Sequence, residues 1–423
     1  MRDQFYLIGG KNMQRKLLFA VLATMLIFSS AAQEKIIKIG TLFPMTGSVA
    51  TAGQRCTAAV ETVVDIINGN YPNLDLPIAK KSGLLDGYKI VLVKADHQGK
   101  PDVAKSEAER LYEQEKVFAI IGCYNSSASK PASAVAERLQ KIFMCGSSSS
   151  AELTERGYNY FFRLAPTDRI ESYEFVEWFQ ELNKSRNANI KTASVIYENT
   201  EFGKHAADEA KAACAKAGIK IIGDVPFSPG ATNLNSEIQK LKAANADALF
   251  GAVLGADYSL MVRTMKQINW KPKIAINYCS GYQDPNIMQQ LGKDGWYFMG
   301  SAGYTPEFGL RFMKAVAPVE EIYKKKSNVP FDSNSIQEAV AMYVLALAIE
   351  KAGAVDTEKV VQVLRTTTFD SPLSMGGKVQ FESPGGQNIK AQSVISQIQN
   401  GSYVTVYPYE YKDGDPIYPM PAW

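Results

Sequence analysis

VFAIIGCYNSSASKPASAVAERLQKIFMCGSSSSAELT, residues 117–154, contains the same structural unit twice. Residues 117–122 are an apolar run of strand length; after CYNSS, residues 128–140 repeat Ala, Val and Leu at helical spacing. Residues 141–145 form a second apolar run, followed by GSSSS and then by AELTERG, which opens like a helix. Each strand therefore ends in serines at a helix start. The first turn of a helix carries N–H groups without intrahelical partners and the positive end of the macrodipole, so an anion fits there. Consecutive strand ends of a parallel sheet lie side by side, and Ser126, Ser127, Ser147, Ser148 and Ser149 are expected to converge on one carboxylate or phosphate. Any one of these serines also reads as an ordinary N-cap, but four in a row after a glycine exceed what one cap needs.

Outward from this stretch, strand and helix alternate in both directions. IIKIGTLFP is a strand, residues 54–68 a helix, 88–95 a strand and 102–114 a helix, with residues 69–87 inserted as a turn-rich surface loop. A second round runs from a helix at 169–185 through strands at 192–197, 219–226, 248–254 and 273–278 with helices between them. ALFGAVLGADYS echoes AIIGCYNSSASK in placing glycine and small residues after an apolar strand. The fold class is α/β, with doubly wound parallel sheets in two similar lobes. After Gly300 the chain turns helical at 307–325, 335–352 and 357–365, then reads as a hairpin in SMGGKVQFESPGG, two further strands, and the proline-rich tail DGDPIYPMPAW.

With 423 residues the chain is too long for one compact core and suits two or three domains. Residues 1–32 read as a secretory signal peptide: basic residues at 15 and 16, the apolar run LLFAVLATMLIF, and SSAAQ for cleavage near Ala31 or Ala32; Met13 is an alternative start. That run is short for a membrane span. The leader holds four basic residues and one acid, which leaves 42 of each sign in the exported chain and no electrostatic reason to expect nucleic acid. The expected location is periplasmic or secreted. Of the five cysteines, Cys123 and Cys145 end neighbouring strands and read as two buried thiols or as a bonded pair.

Catalytic signatures are missing from the sequence. The two histidines, His97 and His205, have no G-x-S-x-G elbow to serve, and no H-E-x-x-H, C-x-x-C, Walker loop or G-x-G-x-x-G is present. No catalytic residue, metal ligand or cofactor is expected, and Glu198 and Glu201 read as loop charges at a strand end. A secreted hydrolase using a GSSSS serine with His97 or His205 is the reading from another class.

IKIGTLFPMTGSVATAG, ADHQGKPDVAKSEAERL, IIGCYNSSASKPASAVAE, CGSSSSAELTERGYNYFFRLAPTD and VIYENTEFGK resemble the leucine/isoleucine/valine-binding family of periplasmic binding proteins that feed ATP-driven importers. The resemblance runs from about Ile36 to Phe381. It implies a type I binding-protein fold, α/β with two doubly wound lobes joined by three hinge crossings near Ala165, Gly300 and Gly376. The corresponding domains are 33–165 plus 301–375 for lobe 1 and 166–300 plus 376–423 for lobe 2. The implied partners are a small carboxylate-bearing ligand and the membrane permease of an ABC importer, with the binding protein itself a monomer and not an enzyme.

Carried over position by position, Ser126 matches a serine that binds the ligand carboxylate, Ser147 a residue whose carbonyl takes the ammonium, and Ser149 a hydroxyl that helps hold both. Tyr124 and Asn125 fall beside the ligand side chain. Phe202 replaces a tyrosine that commonly lines the cleft, Leu254 stands where another aromatic is usual, and Ala52 where an aromatic closes over the ligand. Tyr278 occupies the position of the glutamate that pairs with the ammonium. The expected ligand is an amino acid of branched-chain or hydrophobic type, with Glu198, Asp257 or Asp284 serving its ammonium. The alternatives are an amine-free aliphatic or aromatic carboxylate, because a buried ammonium without a carboxylate is costly, or a ligand sensor on the same fold.

Overall fold

The computed structural model describes residues 35–69 and 71–423; the expected signal peptide and its cleavage near Ala32 lie outside the described residues. From Ile37 to the C-terminus the chain forms one compact unit that contains two main sheets.

The first sheet has five strands in the order β2-β1-β3-β4-β5. They are β1 (Ile36–Phe43), β2 (Lys89–Asp96), β3 (Ala119–Gly122), β4 (Ile142–Cys145) and β5 (Phe161–Arg163). β1, β3, β4 and β5 run parallel, with Leu42 beside Gly122, Ile121 beside Met144 and Cys145 beside Arg163. Every residue of β3, β4 and β5 is buried, as expected of parallel strands covered on both faces. From β1 the chain goes outward to β2 and returns on the other side to β3. The order therefore reverses between β1 and β3, and a crevice opens beyond their carboxyl ends.

The second sheet has seven strands in the order β14-β13-β10-β9-β8-β6-β7. β6 (Thr192–Glu198), β7 (Lys220–Phe227), β8 (Ala248–Ala252), β9 (Ile274–Asn277) and β10 (Met299–Ala302) are parallel. Here the reversal lies between β6 and β8. β13 (Val394–Gln399) and β14 (Ser402–Tyr407) are antiparallel, so this sheet is mixed at one edge where an all-parallel one is expected. A third, two-stranded sheet pairs β11 (Thr368–Asp370) with β12 (Lys378–Gln380) around the turn Met375–Gly377. Gly376 sits in that turn, in the left-handed region at φ +73°, and the chain does not enter the seven-stranded sheet again until Val394.

The helices that matter for the site are named in chain order. α1 (Ala50–Asn68) buries its Ala, Val and Ile face; α2 (Pro101–Glu109) flanks the first sheet; α3 (Ser126–Leu139) follows β3. α4 (Asp168–Arg186) leads from the first sheet to the second, α5 (Glu201–Lys216) follows β6, and α6 (Asn235–Ala244) and α7 (Gly255–Gln267) follow β7 and β8. α8 (Pro285–Leu291), α9 (Pro306–Phe312) and α10 (Val316–Ser327) precede α11 (Ser333–Ala352) and α12 (Thr357–Thr366). α11 starts on a reciprocal cap between Asp332 and Ser335 and stops at Gly353 in the left-handed conformation. It reads as an amphipathic helix, yet it is buried nearly all round, packed on α1 and against β3 and β4.

Two helix starts are bound to one cation. Asp332 caps α11 and Asp284 caps α8. Arg55 of α1 reaches both, Nε to Asp332 at 2.7 Å and Nη1 and Nη2 to Asp284 at 3.1 and 2.9 Å. All three side chains are buried. Burial opposes the guanidinium charge, but the two carboxylates more than offset it and the Arg55 pKa is raised. This cluster joins a helix of the first assembly to one that packs on α7 of the second.

Candidate functional site

The carboxyl ends of β3 and β4 face those of β6 and β8 across a narrow cavity. One wall is Tyr124, Asn125, Ser126, Ser127, Ser147 and Ser149, with Asn334 beside them; the other is Thr200, Phe202 and Leu254. Both walls stand at the strand-order reversals, where open α/β sheets leave a crevice.

The first wall is built from two strand-to-helix turns. Tyr124 holds φ +78°, a conformation bulky residues rarely adopt, at the edge of the cavity. Ser126 and Ser127 open α3, whose first turn has no acid in it, so their N–H groups and the helix dipole face outward unneutralised. The Ser126 hydroxyl also accepts the Ser150 N–H at 3.4 Å, which draws the second turn to the first. Ser148 departs from the expected convergence. Its hydroxyl donates to the Tyr124 carbonyl at 3.1 Å and meets the Ser129 hydroxyl at 2.8 Å, so it ties the turns together from behind.

A buried acid supports each wall. Glu338 of α11 takes the Ser147 hydroxyl at 2.7 Å and the Gly146 N–H at 3.1 Å. Burial pushes its carboxyl up to about 7, against the pull of those bonds. A Cβ on Gly146 would stand 2.4 Å from the Glu338 carboxyl carbon, so only glycine admits the acid here. On the second wall Glu198 accepts the Leu254 N–H at 2.6 Å. Burial, with Asp257 nearby, pushes its carboxyl up to about 8. Gly203 is required there, since a Cβ would lie 2.0 Å from the Glu198 carbonyl oxygen. Glu198 is thus a buried wall support where a solvated loop charge is expected. Glu201, the other acid read as a loop charge, bridges the walls at their rim by accepting Lys130 at 3.1 Å and the Ser150 hydroxyl at 3.3 Å.

Of the residues expected at the site, Tyr124, Asn125, Ser126, Ser127, Ser147, Ser149, Phe202 and Leu254 line the cavity. Tyr278 does not. Its ring is buried against Phe175 and Phe202, and its hydroxyl bonds Ser172 at 2.5 Å and the Ala206 carbonyl at 3.0 Å, so it forms core behind Phe202. Ala52 is likewise buried, within α1. Thr200, Asn334 and Glu338 were not singled out. Thr200 caps α5 and Asn334 sits in the first turn of α11, so helix starts are the signal that identifies both.

No carboxylate is among the lining residues. The three acids considered for an ammonium are engaged elsewhere: Glu198 on Leu254, Asp257 on the Gly230 N–H at 2.7 Å, and Asp284 on Arg55. The histidines are also held away from the serines. His97 is buried between the Cys123 carbonyl and the Gly99 N–H, and His205 Nδ1 lies 2.7 Å from Asp168. Cys123 and Cys145 are both buried thiols, and burial raises their pKa values, that of Cys145 to about 11. Among the described residues, no group of three or more His, Cys, Asp or Glu is placed to hold a metal ion, and no helix is long and apolar enough to cross a membrane.

Two α/β assemblies sharing a cavity at their switch points have the type I periplasmic binding-protein fold. The chain belongs to the periplasmic binding protein family, whose model matches residues 36–402. It is 26% identical over 403 residues to Leu/Ile/Val-binding protein homolog 7 of Brucella melitensis, an alignment covering 93% of this chain and 96% of that one. Among solved structures, the branched-chain amino acid transporter substrate-binding protein LivJ of Streptococcus pneumoniae, in complex with isoleucine, superposes with a TM-score of 0.73 at 20% identity, covering 88% of this chain and all of that one. A solute-binding protein of an ABC transporter from Rhodopseudomonas palustris, in complex with 3,4-dihydroxybenzoic acid, superposes with a TM-score of 0.75 at 17% identity, covering 91% and 99%. The fold is therefore shared by binders of amino acids and of aromatic carboxylates.

Proposed function

We propose that this chain is the extracytoplasmic solute-binding protein of an ABC importer, that it captures a small carboxylate between its two walls, and that it delivers this to a membrane permease without chemical change. The observation that carries the reading is the serine wall at the start of α3, where helix N–H groups and the hydroxyls of Ser126, Ser127 and Ser149 surround a space with no acid on its lining. Charge-assisted bonds of this kind hold a carboxylate firmly once water is excluded.

The same lining favours an amine-free carboxylate over an amino acid. Tyr278, at the position where an acid is expected, is core, and Glu338 reaches the cavity only through the Ser147 hydroxyl. Aromatic and aliphatic bodies both suit Phe202 and Leu254 on the far wall. The test is a thermal-shift screen of the mature protein, refolded to strip bound solute, against amino acids, amine-free aliphatic and aromatic acids, and their methyl esters. Stabilisation by acids and not by esters is expected. A tolerated ester removes the carboxylate from the serine wall, and stabilisation by leucine above its amine-free analogue restores the amino-acid ligand.

A further inference from the structure

Glu338 is fully buried in α11. Its carboxyl accepts the Gly146 N–H at 3.1 Å on Oε2 and the Ser147 hydroxyl at 2.7 Å on Oε1, and the Ser147 N–H adds to their pull. These partners belong to the second serine turn, whose Ser147 lines the cavity. Neutral donors alone answer the charge of Glu338; among the described residues no cation pairs with it. The titratable side chains that interact with it are three buried thiols, Cys56 of α1, Cys123 just past β3 and Cys145 of β4, and burial raises all three, so they are uncharged at neutral pH. Arg55, the cation next to Cys56, is held by Asp284 and Asp332. Glu338 therefore keeps a negative charge only against the cost of its burial.

We infer that Glu338 takes up a proton when a carboxylate settles on the serine wall, so that the protein captures an anion together with a hydrogen ion from the medium. The inference rests on the carboxylate reading above and adds a proton to it. Without that proton, the acid group of the solute and Glu338 would be two negative charges with one buried serine turn between them. Like charges that share a site of low dielectric raise each other's pKa, and the acid already pushed up to about 7 is the one that yields. The proton also changes what Ser147 can offer. An ionised Glu338 only accepts, so the Ser147 hydroxyl must donate to it; a neutral Glu338 donates from Oε1, keeps Oε2 for the Gly146 N–H, and frees the Ser147 hydrogen for another acceptor. Because binding takes up a proton, affinity falls as pH rises through the ligand-free value of this carboxyl.

The experiment is isothermal titration of the full mature chain with benzoate and with 4-methylpentanoate from about pH 6 to about pH 8, each repeated in two buffers of different ionisation enthalpy. Simple carboxylates are ionised across that range, so titration of the probes does not enter. With Glu338 at about 7 in the ligand-free protein, affinity is expected to fall about tenfold over the range, and the buffer dependence of the heat at the alkaline end to show about one proton taken up per solute bound. Glu338→Gln copies the neutral form, because its amide accepts the Gly146 N–H and donates to Ser147. It should bind at every pH as the native protein does at the acid end, with no proton uptake. A residue that only positions the turn would change affinity equally at all pH and move no proton. Affinity independent of pH in the native protein, or uptake that survives Glu338→Gln, overturns the inference and leaves the carboxylate reading standing. Leucine bound more tightly as pH rises also overturns it, with Glu338 then the ionised partner of an ammonium. If neither acid binds at any pH, the carboxylate reading falls and this inference with it.

Discussion

The two walls of the cavity have a common plan and opposite chemistry. Each stands at a strand-order reversal, and each is steadied by a buried glutamate that accepts a backbone N–H, Glu338 from Gly146 and Glu198 from Leu254. The first wall presents four serines, two asparagines and Tyr124; the second presents Thr200, Phe202 and Leu254. One side can fix a charged group by direction, and the other can cover its body and keep water out. The difference shows that the support of a wall and its chemistry are separable, since the same buried-acid device underlies both.

Breaking the polar wall gives the largest expected effect. The double variant Ser126→Ala/Ser149→Ala loses two charge-assisted bonds, each worth about 1.5–3 kcal/mol, so affinity should fall at least a hundredfold by titration. Phe202→Leu, on the other wall, should cost far less of it, and equal losses would mean that the walls are not specialised. Next is the cation that joins the two assemblies. Arg55→Ala strands two buried carboxylates and should cost about 3–5 kcal/mol of stability in denaturant unfolding, whereas a loss under 1 kcal/mol would show the cluster to be hydrated in solution.

The smallest expected effect is pH-dependent and sharpens the comparison of the supports. A carboxyl whose pKa is higher folded than unfolded contributes its stability fully below the unfolded value and loses it as pH rises through the folded one. For Glu338, pushed to about 7, and Glu198, pushed to about 8, the window runs from about 4.5 upward through 7 and 8. Glu174, buried to about 7 beside Ser393, adds to it. Melting temperature should therefore decline from pH 5 to pH 8. Glu338→Gln should flatten that decline up to about pH 7 and Glu198→Gln across the whole of it to about pH 8. An unchanged slope in both variants would show that these acids are ionised throughout.

The strand–helix alternation and the serine turns were legible because both are local. Ser126, Ser127, Ser147 and Ser149 follow from the ends of two strands and the helices after them, whereas Tyr124, Asn125, Phe202 and Leu254 were reached only through the family resemblance. What was not legible comes from distant pairing. Glu338 meets Ser147 from 191 residues away and lies in a helix whose apolar run hides it. Ser148 and Ser147 are neighbours with the same side chain, and only the packing of two turns decides that one faces the cavity and the other the core. Tyr278 follows a strand end as an acid would, but its ring fits the space between Phe175 and Phe202. The antiparallel edge of the second sheet depends on strands 394–407 returning to β10 from the far end of the chain, and no local pattern specifies that return.

The Arg55 cluster also bears on the response to salt. Its guanidinium holds the start of α11, whose first turn carries Asn334 into the cavity, and the start of α8 across the interface. All three charges are shielded from water, where mobile ions screen poorly. The rim bridge between Lys130 and Glu201 is half in solvent and is screened readily. Added salt is therefore expected to loosen the lip of the cavity and to leave the buried fastening intact.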